Sequence, residues 1–149
     1  MRYAASVEYE GTNFFGWQRQ SAVISVQEEI ENAISQITQT DIKIHGAGRT
    51  DAGVHALGQV FHFDTDVARP IKSLTKGVNS FLPNSIRVKW VKIVSDDFHA
   101  RFSATARQYQ YLLNNAPINS SIWSNHCGWT FYELDFTLLK NASKKFEGR

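Results

Sequence analysis

"GAGRTDAGVHALGQVFHF", residues 46–63, decides how the rest of this chain is read. Its first half sets two glycines, Arg49 and Asp51 at a chain reversal. Its second half alternates as a strand, with Gln59, Phe61 and Phe63 on one face and Val60, His62 and Asp64 on the other. DIKIHGAG just before it reads as a short strand, so the corner joins two strands. A dinucleotide-binding loop would open a helix and carry a third glycine, so that reading fails. Asp51 itself has two readings. Asp and Gly are what turns are made of. A carboxylate beside a permanent cation, on a glycine-flanked corner that a ligand can approach closely, is also a catalytic arrangement.

Toward the N-terminus, YAASVEY reads as a strand ending at Gly11, and GTNFFGWQRQS, which carries Trp17 and Arg19, as a loop. SVQEEIENAISQIT offers Ser25 as N-cap with Glu28 three residues later, and places Val26, Ile30, Ala33, Ile34 and Ile37 on one helical face. Toward the C-terminus, RPIKSLTKGVNSFLP predicts a second helix that starts with Pro70 at its first position and stops before Pro83. SIRVKWVKIV then alternates Ile86, Val88 and Trp90 with a basic face of Arg87 and Lys89. The order β-α-β-β-α-β is the ferredoxin-like split βαβ arrangement.

SATARQYQYLLNN predicts a further strand extending that sheet, with Arg107, Tyr109 and Tyr111 on one face. WTFYELDFTLLKNASKKF predicts a short strand and a helix capped by Asp135. The expected fold class is α+β: a ferredoxin-like, RRM-like half with an extended, mainly antiparallel sheet.

At 149 residues, 42% hydrophobic and 13% aromatic, the chain has the composition of a globular domain and excludes a disordered tail. One cysteine, Cys127, excludes an intrachain disulfide. No stretch is long and apolar enough for a membrane span, and MRYAASVEYEG lacks the apolar run of a signal peptide, so the expected location is the cytoplasm, away from membranes. Net charge is +2, unevenly spread: residues 1–66 hold four Lys/Arg against nine Asp/Glu, and residues 67–149 twelve against five. A basic second part suits a polyanion such as nucleic acid, although basic residues alternating along a strand are also its ordinary solvated face.

Other chemistry is thin. His45, His55, His62 and His99 with Asp64 and Asp66 show no recognised metal-ligand spacing and read as structural. His126 beside Cys127 is adjacency along the chain, which does not make a nucleophile and its base. Arg107, Tyr109 and Tyr111 on one strand face are what stacks on unpaired bases, and equally what packs a sheet against a helix; Trp17 and Arg19 admit the same two readings.

GRTDAGVHA resembles the catalytic motif of the tRNA pseudouridine synthase A family, and YEGTNFFGWQRQ, SVQEEIENAI, GQVFHF, LPNSIRVKW and DDFHARFSATARQYQY resemble that family's successive blocks in order. The resemblance implies the pseudouridine synthase fold. It implies isomerisation of uridine to pseudouridine in the anticodon arm of tRNA, at positions 38 to 40, with no metal and no organic cofactor. Asp51 matches the essential aspartate. Arg49 matches the arginine that pairs with it and helps hold the flipped-out nucleotide, and Tyr109 the active-site tyrosine expected to stack on the uracil. Arg107, Trp17, Arg19, His55 and the basic strand face are expected RNA contacts.

The family works as a homodimer, and its chains continue into a second, similar α/β half. The resemblance therefore divides this chain into an N-terminal half carrying the aspartate, residues 1–114, and the start of the second half, 115–149. Two other readings stand beside the synthase. One is an RNA-binding module without chemistry. The other is a glycosidase using Asp51, for which the motif supplies only one of the two carboxylates required.

Overall fold

The computed structural model of the chain describes residues 1–148, running β1 (Arg2–Tyr9), α1 (Val26–Thr38), β2 (Ile44–Gly46), β3 (Ala56–Asp64), α2 (Ile71–Phe81), β4 (Ile86–Val94), β5 (Leu113–Asn115), β6 (Gly128–Thr130) and α3 (Phe136–Ser143). The first four strands form one sheet in the order β2-β3-β1-β4, antiparallel at every pairing. With α1 and α2 as its crossovers this is the ferredoxin-like half expected from the sequence. The chain forms two compact units, Met1–Arg107 and Gln108–Arg149.

In the first unit the alternation of β1 and β3 builds the core. Tyr3, Ala5, Val7 and Tyr9 lie with Phe61 and Phe63 against Val26, Ile30 and Ile34 of α1 and Leu74 and Val78 of α2. Tyr3 stacks on Phe63 with ring centroids 5.3 Å apart. Ser25 caps α1, its hydroxyl accepting from the Glu28 amide. Pro70 occupies the N-cap of α2, one position before the first-turn site expected for it.

Two expectations are corrected. The alternation of Ile86, Val88 and Trp90 against a basic face of Arg87 and Lys89 does not run the length of β4. The ladder shifts register between Ser6 and Val7, so that Ser6 faces Trp90 while Val7 faces Val88. The extra residue, Lys89, reverses the phase. Val91 then enters the core and Trp90 turns out to solvent. The basic face of β4 is therefore broken: Arg87 folds onto the Pro83 and Ile86 carbonyls and Asn84, and Lys89 pairs with Glu8.

The second correction concerns SATARQYQYLLNN. Residues 104–112 carry no strand, and β5 pairs in parallel with β6 in a separate two-stranded sheet. A period of two is compatible with any extended chain; a strand also needs an edge to pair with. In the second unit Asp135 caps α3 as expected, accepting from the Thr137 and Leu138 amides.

On the sheet face away from the helices, the segment after β4 folds back over β1 and β3. Arg2 reaches the carbonyls of Asp96 and Phe98 and forms a two-pronged pair with Asp64, 2.9 and 2.8 Å. The Ala100 amide donates to His62 Nδ1 at 3.2 Å. Three of the histidines read as structural meet here: His62 lies 5.0 Å from His45 and 4.6 Å from His99 between ring centroids.

Candidate active site

Residues 47–55 link β2 to β3, and both ends of this loop are tied. The Ala47 amide donates to the Val60 carbonyl at 2.7 Å, continuing the ladder one residue past β2. Arg107 donates to the Ala47 carbonyl through Nε and a terminal nitrogen, 3.2 and 2.8 Å, and Gln59 donates to the Gly48 carbonyl at 2.6 Å. At the far end His55 Nδ1 accepts from the Gly11 amide at 3.0 Å. The Glu10 carboxylate lies 3.4 Å from the same nitrogen.

The middle of the loop hangs on Thr50. Its carbonyl accepts from the Trp17 amide at 3.0 Å, and its hydroxyl meets the Tyr9 hydroxyl at 2.8 Å. This inward anchor leaves Arg49 and Asp51 exposed on either side of it. Asp51 then starts a turn closed by the Val54 amide on its carbonyl, with Gly53 at φ +78°, the positive value that a type II turn requires at its third residue.

The loop rests on a second loop, residues 10–25. Gly16 has φ +86°, and a Cβ there would sit 2.5 Å from the Thr50 carbonyl oxygen. No side chain could occupy that position with the two backbones so close. The Gly53 amide donates to the Phe14 carbonyl, and the Gly16 and Trp17 carbonyls accept from the first two amides of α1. The same short segment therefore carries Thr50 on one side and satisfies the helix start on the other.

The remaining predicted residues fall into different places. Trp17, expected at the RNA, is 2% exposed; its indole lies against Gly46 between Tyr9 and Phe61, where it supports the loop from beneath. Arg19 places its guanidinium on Glu28 at 3.3 Å and Glu31 at 2.9 Å. Arg107 is exposed and braces the loop. Tyr109 belongs to the second unit and is 75% exposed.

The expected ion pair between Arg49 and Asp51 is not formed: among the described residues neither side chain has a hydrogen bond or an ion pair. Both are presented to solvent because Thr50, not their mutual attraction, holds the loop. Sequence reading missed Thr50, Tyr9 and Gly16. The only signal for them was the threonine set between the two charged residues and the glycine before Trp17. The arrangement offers an exposed carboxylate and an exposed guanidinium on a backbone held at Ala47, Gly48, Thr50 and Gly53.

A family model described as tRNA pseudouridine synthase matches residues 5–103. Among curated proteins, "tRNA pseudouridine synthase A" of Pseudoalteromonas atlantica is 50% identical over 149 residues, covering all of this chain and 57% of the relative. The protein of the same name from Haemophilus ducreyi is 47% identical over 148 residues, 99% of this chain and 57% of the relative. That of Colwellia psychrerythraea is 48% identical over 149 residues, all of this chain and 58% of the relative. This chain thus spans little more than half the length of the relatives it matches. The matched region contains all but the first three residues of the four-stranded sheet, both crossover helices and the whole of loop 47–55, and on that ground the chain belongs to the tRNA pseudouridine synthase family.

Proposed function

We propose that this chain carries the catalytic-aspartate half of an enzyme that converts uridine to pseudouridine in the anticodon arm of tRNA, at positions 38 to 40, with Asp51 as nucleophile. The observation that carries the reading is the exposed, unpaired Asp51 on a loop fixed through Thr50, Gly53 and the Arg107 brace. A rigid backbone with a free carboxylate is what attack on a bound nucleotide needs.

In the reaction the N1–C1′ bond of uridine breaks and a C5–C1′ bond forms; N1 gains a proton and C5 loses one. Asp51 acts either by adding to C6 of the uracil, by attacking C1′ of the ribose, or by promoting elimination to a glycal. The uridine must first leave its stack, at a cost of a few kcal/mol. Arg49, one residue before the Thr50 anchor, is suited to hold the extruded nucleotide by its phosphate. Tyr109 would stack on the uracil, since a phenol is a weak base at neutral pH. Residues 115–149 are read as the start of the relatives' further half.

The test is tritium release from tRNA transcribed with 5-tritiated uridine. It compares this chain, the chain joined to the remaining length of its Pseudoalteromonas atlantica relative, and Asp51→Asn in each. Release that disappears with Asp51→Asn, at unchanged thermal stability, is the expected result. Absence of release from a folded, tRNA-binding long form would overturn the synthase reading and leave an RNA-binding module.

A further inference from the structure

Away from loop 47–55, the outer edge of β4 and the flank of α2 enclose a groove of about 270 Å³, lined by Ile71, Lys72, Thr75, Lys76, Lys89, Trp90 and Val91. The β4 bulge creates it, because it turns Trp90 out of the core to 37% exposure on an edge strand. The Lys92 ammonium lies over the Trp90 ring, 5.3 Å from its centroid. Lys72 and Lys76 stand four residues apart, on one face of α2.

Among the described residues Lys72, Lys76 and Lys92 have no carboxylate partner, whereas Lys89 pairs with Glu8 and Lys43 with Asp41. Like charges gathered without counter-charges repel one another, and that arrangement is the footprint of a polyanion site. Lysines on an edge strand also guard against strand pairing. That account covers Lys89 and Lys92. It does not explain two further unpaired lysines on a helix facing the same groove.

Resting on the reading of tRNA as substrate, we propose that Lys72, Lys76 and Lys92, set around Trp90, form a second RNA contact that grips the phosphate backbone apart from the reacting uridine. Lys92 covers one ring face of Trp90, so the indole is no open platform for a base, and the contact is to phosphate and independent of sequence. Trp90 pairs with Ser6, three residues along β1 from Tyr9, whose hydroxyl holds Thr50. Ser6 and Tyr9 lie about 10 Å apart along the strand, so the groove stands apart from the loop that carries Asp51.

The test is equilibrium binding of an unmodified tRNA transcript to the chain from about 50 to 300 mM KCl. Lys72→Gln/Lys76→Gln/Lys92→Gln is compared with the equal charge change Lys43→Gln/Lys140→Gln/Lys144→Gln. The groove variant is expected to bind about tenfold or more weakly at low salt, with a log–log salt slope shallower by about 2 to 3, one to two phosphates more than the control. Lys76→Glu alone, checked for folding by circular dichroism, should weaken binding in the same direction. Equal losses in groove and control variants, or wild-type affinity and slope in the groove variants, would overturn the proposal while leaving Asp51 chemistry untouched. A folded wild-type chain that binds no tRNA would instead overturn it together with the tRNA reading.

Discussion

His62 sits on β3 between Phe61 and Phe63, whose rings enter the core on the opposite face, and is itself 2% exposed under the segment that follows β4. Burial lowers its pKa to about 4, and the positive fields of His99, His45 and Arg2 push the same way against the weaker pull of Asp64. Above the ordinary histidine value near 6.5 the group is neutral in both folded and unfolded chains. As pH falls from there toward 4, the unfolded chain takes up a proton that the folded chain refuses, so stability is lost across that window. The loss amounts to about 1–3 kcal/mol. His62→Gln keeps an acceptor for the Ala100 amide and removes the titration. Melting temperatures between pH 6.5 and 4 should therefore fall less for His62→Gln than for the wild type, and parallel profiles would refute the burial argument. Asp64 acts lower: the Arg2 hydrogen bonds hold its carboxyl below the usual range, and that contribution is lost only on acidification through it.

At the scale of elements, α1 does more than cover the sheet. Glu31, on its inner face and 2% exposed, accepts from Arg19 of the preceding loop at 2.9 Å, from Gln27 at 3.0 Å and from the Ile44 amide at 3.1 Å. One carboxylate thus ties the loop under Thr50, the helix and the start of β2, the strand that leads into the catalytic loop. Without Glu31 the buried Ile44 amide loses its acceptor, and an unsatisfied buried donor costs about 1–3 kcal/mol. Glu31→Ala should destabilise by about that much in urea unfolding. Arg19→Ala, whose side chain is partly solvated, should cost less, because solvent can partly replace its contact with the carboxylate. The opposite ranking would show that Arg19 holds the loop by contacts other than Glu31.

For the whole molecule, the contrast between the units is one of burial. Every core residue lies in Met1–Arg107, and among the described residues from 108 onward none is buried; Trp123, Trp129, Phe131, Tyr132, Phe136 and Leu138 are all exposed. Amide exchange should therefore be slowest in β1, β3 and α1 and fast throughout 108–148, including the capped helix α3, since local opening follows buried apolar contact more than secondary structure. Protection in α3 equal to that in α1 would contradict this. Among the described residues no helix is long and apolar enough to cross a membrane.

Local chemistry was legible without coordinates. Helical periodicity and the Ser25 and Asp135 caps located α1 and α3, alternation located β1 and β3, and the residues around Asp51 announced a loop built for close approach. These signals lie within a few residues of one another, so the chain expresses them wherever it goes. Tertiary structure decided what depended on distant partners. The bulge opposite Ser6 and Val7 turned Trp90 outward, residues 104–112 joined no sheet, and Thr50 rather than an Arg49–Asp51 pair came to hold the loop. Whether a side chain is a core prop, as Trp17 proved to be, or a surface free to meet a ligand is set by what the fold brings against it from far along the chain, and no local pattern encodes that.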